Sequence, residues 1–428
     1  MTAEDLARLQ FALLAAIHFL FVLLTLGLGP VVAILGTRWA VTGKAVFERA
    51  TRFWGQIYLV NYALGIAAGI VLELQFGLHF PGLLDVAGEV FGAPLAVETM
   101  VAFFLESTLL GLWVFGWHLF PRWLHATLFW LVVLTGYASA FTVMVANGFL
   151  RNPVGFELVD GVARITDPAA LILNPAALVS SFHVLGACLI AGGFVLVGVS
   201  ASRLRRHASA GGKVSADVDE DVWRRSMRAG IWTGLIGALI ATGFGYAQFS
   251  YLDTDASMAT YPGLVGSGWA IMEMFANLAA LAGWVLALLL IRNALFRLRP
   301  GLRHGLYRVM AVLVPAPFVV AILGWLSREL GRQPWVVTGV LRTSDVVSGQ
   351  PASAVLVSLV ALVGIMATLA VLDWWVLTRL AARGTERLVL GAPPGEVLRD
   401  DGAGADVLLR FGVGGPAGVS GAAPEVAR

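Results

Sequence analysis

Residues 11–36 read FALLAAIHFLFVLLTLGLGPVVAILG, with no charged side chain and His18 as the one ionisable group. A helix rises about 1.5 Å per residue, so this stretch is long enough to cross a hydrocarbon layer of about 30 Å. It lacks a basic n-region and an Ala-x-Ala site, so it reads as a first membrane helix rather than a cleaved signal. Apolar stretches of the same kind recur at 54–73, 94–117, 126–147, 178–201, 229–250, 266–291, 306–326 and 354–378. The eighth carries Pro315 and Pro317, which membrane helices tolerate when neighbours satisfy the freed carbonyls. The expected fold is an all-α integral membrane protein with nine transmembrane helices.

The rest of the chain agrees. Of 428 residues, 58% are hydrophobic and 13% charged, against about 25% charged in an ordinary soluble domain. Mean hydropathy is +0.81. A disordered chain and a typical soluble enzyme are excluded. The net charge of +2 gives no ground for a nucleic-acid partner. The single cysteine, Cys188, excludes an internal disulfide and any Cys-rich zinc or iron–sulfur site.

Lys and Arg set the orientation. Twenty of them fall after spans 1, 3, 5, 7 and 9, for example Arg38, Arg122, Arg203, Arg292 and Arg379. The other side holds six: Arg8, Arg151, Arg164, Arg328, Arg332 and Arg342. The N-terminus is expected outside and the C-terminus in the cytoplasm, which an odd number of spans requires. Residues 1–390 read as one membrane domain. Residues 391–428, rich in Gly, Ala and Pro, read as a flexible cytoplasmic tail.

Ionisable and coordinating groups at membrane depth are functional candidates by default. They are His18 in span 1, Glu98 and Glu106 in span 3, His183 in span 5, Met272 and Glu273 in span 7, and Asp373 in span 9. On an ideal helix Glu98 and Glu106 stand about 80° apart, on one broad side. A lone membrane histidine often bonds a neighbouring helix, and a lone methionine usually packs. The sharper reading is heme, for which imidazole and thioether are normal axial ligands. His183 and Met272 both start odd-numbered spans, hence at similar depth. Several ligand pairs stay open on spacing alone. No CxxCH motif is present, so a heme would be held without covalent attachment. No inverted repeat points to a transporter.

Local strings add a family. Arg8-Leu-Gln-Phe-Ala, His18-Phe-Leu-Phe, Phe53-Trp-Gly, Asn61-Tyr-Ala-Leu-Gly, Glu73-Leu-Gln-Phe-Gly and Phe91-Gly-Ala-Pro-Leu-Ala-Val-Glu98 occur in this order. Ala102-Phe-Phe-Leu-Glu106, Asn152-Pro153 and Gly331-Arg-Gln-Pro-Trp335 follow. Over residues 4–380 the chain resembles subunit I of the cytochrome bd quinol oxidases. The resemblance implies that family's nine-helix arrangement in a bacterial inner membrane. It implies a low-spin heme b, a heme d and a second, high-spin heme b. Its activity would be electron transfer from quinol to dioxygen, giving water. By the same pattern His183 and Met272 ligate the low-spin heme b and His18 ligates heme d. Glu98 lies on the distal side of heme d, and Glu106 is on the proton route. Arg332, Gln333 and Trp335 lie by the low-spin heme. A second membrane subunit and a small single-span peptide are the implied partners.

Two departures mark a divergent member. The pattern leads to a glutamate ligand for the high-spin heme in span 8. Ungapped counting back from Gly331 puts Ile322 there, which cannot ligate iron, with Glu329 the nearby carboxylate. The outer connection after span 6, residues 251–265, is short and has no lysine. The arginine expected just before Met272 is Ala270. The donor is therefore expected to be quinol or another reductant. The alternative functions are a heme-b electron-transfer subunit without oxygen reduction, and a non-catalytic partner that has lost part of the cofactor set.

Overall fold

The computed structural model describes residues 1–209, 216–251, 253–386 and 388–391. Within them, the side chains of 93, 97–99, 101–103, 208–209 and 216–218 are not described. The predicted tail lies outside the described residues beyond 391.

The chain is helical almost throughout. Helix α1 (Ala3–Thr42) starts on a capping box, in which Thr2 Oγ1 accepts from Asp5 N–H and Asp5 accepts from Thr2 N–H. It ends at Gly43, whose φ of 65° suits a residue without Cβ. Then come α2 (Ala45–Leu78), α3 (Pro81–Glu98), a π-helical segment (Thr99–Glu106), α4 (Ser107–Phe115) and α5 (Arg122–Arg151). A hairpin of β1 (Phe156–Val159) and β2 (Val162–Ile165) and the short α6 (Pro168–Ile172) lead to α7 (Pro175–Ser209) and α8 (Ala216–Gln248). The short α9 (Thr254–Met258) precedes α10 (Pro262–Leu290). Next are α11 (Ala294–Arg297), α12 (Pro300–Val312) and α13 (Ala316–Leu330). A second hairpin, β3 (Trp335–Val337) with β4 (Leu341–Arg342), then α14 (Thr343–Val346) and α15 (Ala352–Arg383) complete the chain.

Among the described residues, eight helical stretches are long and apolar enough to cross a membrane. The stretch expected as a third single span, 94–117, differs. It is divided among the end of α3, the π segment and α4, and only Phe104–Phe115 counts as a shorter apolar helix. Pro94 removes a backbone donor there, and the i→i+5 bonding of the π turns changes the register. The ideal 80° separation of Glu98 and Glu106 therefore does not apply. The two small hairpins are also departures from an all-helical chain, both in connections.

Helices α1 and α7 are the most enclosed, whereas α10, α13 and α15 turn most of their apolar residues outward. Helices α7 and α8 pack backbone to backbone. A Cβ on Gly193 would come 2.6 Å from Gly234 Cα, and one on Gly186 would come 2.4 Å from Ala241 N. Small residues at such crossings give membrane helices their van der Waals contact.

Two cores fill the ends of the bundle. At the basic end, near Thr42, fully buried Trp54, Trp113, Trp223 and Tyr58 pack with Leu28, Val32 and Phe129. Trp54 Nε1 donates to Ser226 Oγ at 2.8 Å, and Arg49 pairs with Asp219 at 2.7 Å. Leu390, only 5% exposed, returns into this core and its N–H donates to Gln56 Oε1 at 3.0 Å. At the opposite end Ala7, Phe80, Val90, Phe149 and Val337 form a second cluster. Between the two lies a cavity.

Candidate functional site

The cavity measures about 1250 Å³ and is walled by α1, α2, α3, the π segment, α5, α7, α8, α10 and α13. Protein interiors are packed as densely as organic crystals, with few voids larger than a water molecule. A space of this size, reaching from the inside of a helical bundle to its surface, is a binding chamber at or beyond the upper end of ordinary small-molecule pockets. His18, Glu106, His183, Met272, Glu329, Arg332 and Gln333 all line it.

His183 sits on α7, and its Nδ1 donates to the Ala241 carbonyl of α8 at 2.9 Å. That bond fixes the tautomer with the lone pair on Nε2, the arrangement by which a ligating histidine is usually held. Gly245, one turn further along α8, clears the ring; a Cβ there would stand 3.2 Å from Nδ1. Met272 comes from α10, and its Sδ lies over Gly324 of α13, where a Cβ would come within 2.2 Å. His18 comes from α1 across Gly69 of α2, whose Cβ would be 3.2 Å from Cε1. The His18 Nδ1 is buried without a protein partner.

Glu106 closes the π segment and is 2% exposed. Tyr62 and Tyr58, their rings stacked 5.9 Å apart, stand beside its carboxylate. Its Oε1 has no protein partner. The Glu98 side chain lies outside the described residues.

Among the described residues no three His, Cys, Asp or Glu side chains converge on a point that could cage a metal ion. Heme iron needs only one or two protein ligands, because the macrocycle supplies four. Neutral imidazole and thioether donors, glycine-cleared faces and an orphaned ring nitrogen in an apolar chamber fit that group.

Three comparisons bear on the chain. The sequence pattern of the family described as cytochrome bd terminal oxidase subunit I matches residues 6–260 and 262–385. The chain belongs to this family. Cytochrome bd ubiquinol oxidase subunit 1 of Bacillus subtilis is 30% identical over 410 residues, spanning 81% of this chain and 86% of that one. Cytochrome bd-II ubiquinol oxidase subunit 1 of Escherichia coli is 41% identical over 204 residues, 47% of this chain and 40% of that one. The solved bd oxidase of Geobacillus thermodenitrificans shares the fold. Its TM-score is 0.77 at 20% identity, covering 89% of this chain and 99% of that one.

The bd oxidase family match breaks at residue 261, inside the short connection between α8 and α10. That connection nonetheless reaches the Gly331–Trp335 string: Thr260 Oγ1 donates to the Gln333 carbonyl at 3.1 Å. Arg332 donates to the Val336 carbonyl at 2.6 Å and pairs with Glu329. Gln333 Oε1 accepts from Thr343 at 3.1 Å. Trp335 is not among the cavity-lining residues; its ring lies under the Arg342 guanidinium at 5.3 Å. Ile322 is outside the lining as well, whereas Glu329, two turns on, is part of it. The carboxylate that α13 offers to the cavity is therefore Glu329. Sequence reading also passed over Tyr58 and Tyr62, whose i,i+4 spacing puts both on the Glu106 side of α2. Arg328 was counted only as a topological charge.

Proposed function

We propose that the chain is the heme-bearing subunit of a membrane terminal oxidase, taking electrons from a quinol and delivering them to dioxygen, which is reduced to water. The observation that carries this reading is the single chamber onto which His18, Glu106, His183, Met272 and Glu329 all open. Family membership supports the oxidase class, and the relatives' printed names supply the donor class, a quinol. The cofactors are a low-spin heme b ligated by His183 and Met272, a heme d on His18, and a high-spin heme b for which Glu329 is the available carboxylate. Glu98 belongs to the distal side of the His18 site.

Heme supplies one-electron carriage and an oxygen-binding iron when bound. The protein's own part is to place donors and protons. The Ala241 carbonyl holds the His183 ring so that Nε2 faces the chamber. Glu106, buried beside two phenols, can hold a proton at Oε1 and release it toward the chamber. Gln333 and Arg332 tie the end of α13 to the outer hairpin and fix Glu329.

Nine crossings follow if the end of α3, the π segment and α4 together make the third. The N-terminus is then outside and the C-terminus in the cytoplasm of a bacterial inner membrane, with residues 1–390 as one domain. A second membrane subunit, with a small single-span peptide, would cover outward apolar faces such as that of α10. A reduced-minus-oxidised spectrum with a heme count tests the reading. The expected result is b-type bands together with a chlorin band. A spectrum with b bands alone reduces the chain to an electron-transfer subunit, and a flat spectrum contradicts the proposal.

A further inference from the structure

Three guanidinium groups, Arg151, Arg328 and Arg332, meet at the end of the cavity away from the basic end, and all three line it. The one carboxylate among them, Glu329, is engaged by Arg332. Arg151 Nη2 donates to the Arg328 carbonyl at 3.2 Å. Arg328 Nη1 donates to Ser180 Oγ at 3.0 Å, while its Nη2 is buried with no protein partner. One carboxylate cannot balance three guanidiniums in a low-dielectric interior, where an uncompensated charge is costly. This end of the chamber therefore calls for negative charge on what occupies it. A planar guanidinium edge is suited to a carboxylate or a phosphate.

The location narrows the choice. Ser180 precedes His183 by three residues on α7, so the clamp holds Arg328 about one helical turn from the imidazole. Helix α13 is seated on α10 at this level by Gly268 against Ser327 and by Gly324 under Met272. Helix α10 brings no cation of its own here, since position 270 is alanine.

We propose that Arg328 is the anion-holding group of the low-spin site. Its free guanidinium edge pairs with a carboxylate on the rim of the tetrapyrrole that His183 ligates, and α13 thereby supplies a charge that α10 lacks. The inference rests on the reading of His183 and Met272 as axial ligands.

The test uses the assembled complex, solubilised and free of oxygen, and reads the reduction midpoint of the low-spin b band together with heme per protein. Removing a nearby positive charge disfavours the iron state that carries the extra electron. Arg328→Gln should weaken the preference for the reduced form about tenfold, which for one electron is ~59 mV. Loss of the b heme in this variant is equally in line with the proposal if Arg328→Lys retains it. Arg328→Lys should restore most of the midpoint. An unchanged midpoint and heme count in Arg328→Gln overturns the proposal, as does equal damage in the Gln and Lys variants. If neither variant assembles, the wild type decides by redox-difference infrared spectroscopy with ¹³C-carboxylate heme and ¹⁵N-guanidino arginine. A labelled carboxylate band that shifts with the arginine label supports the pairing, and one that ignores it refutes it. A wild type without a low-spin b band overturns the functional reading itself, and is recognised before any variant is made.

Discussion

Met272 and Gly324 act as one unit, because the sulfur occupies the space a side chain at 324 would fill. Met272→Leu keeps size and apolarity, so we expect a stability cost below about 1.5 kcal/mol. It offers iron no lone pair, and the low-spin b band should disappear from the reduced-minus-oxidised spectrum. Gly324→Ala leaves the donor in the sequence but drives a methyl group to 2.2 Å from Sδ. The expected result is an overpacking cost of about 1–3 kcal/mol and a low-spin band lost or converted to high-spin. An unaltered band in Gly324→Ala would contradict the placement of the sulfur. His183 and Met272 could be picked out of the sequence as candidates because a donor in a long apolar run stands out, and both line the cavity. Gly245, Gly324 and the Ala241 carbonyl could not, because their role exists only across a helix crossing. Ile322 shows the converse: counting along one helix says nothing of which turn meets the cavity, and there the lining contains Glu329 and not Ile322.

At the level of elements, the α7–α8 seam governs how Ala241 meets His183. Gly193→Leu would force apart backbones that now touch at Gly234. We expect loss of thermal stability in detergent, with loss of low-spin heme at temperatures the wild type survives. The β1–β2 hairpin is tied to α3 through Glu89, which pairs with Arg164 and accepts from Ile165 N–H at 3.1 Å. The Arg164 side chain first, and then the Ile165 N–H, hold the Glu89 carboxyl below the usual carboxylate range. A depressed carboxyl stabilises the docked hairpin fully above its ordinary value, and the contribution is lost as pH falls through the lowered one. Protection factors at residues 156–165, with the intrinsic exchange rate divided out, should therefore fall on acidification below the ordinary carboxylate range, and Glu89→Gln should abolish that dependence. Helix existence was readable from hydropathy in eight of the nine stretches. The third was read as one uniform span because hydropathy does not sense register, while Pro94 and the π turns change only register.

For the whole molecule, one core at the basic end and a second at the opposite end leave the chamber between them. The charge bias that orients the bundle can be tested with thiols, since Cys188 is buried and leaves a silent background. In intact cells, a membrane-impermeant maleimide should label Asp160→Cys at the hairpin tip and spare Gly301→Cys. The opposite pattern would invert the topology. The central claim is that the chamber is a heme site with His183 and Met272 as the low-spin ligands. The most direct measurement is a reduced-minus-oxidised spectrum and pyridine-hemochrome count on the purified complex, wild type beside Met272→Leu. The expected outcome is a b-type and a chlorin signal in the wild type, with the low-spin b component alone missing from the variant. A wild type without heme, or a low-spin band that survives Met272→Leu, would contradict it.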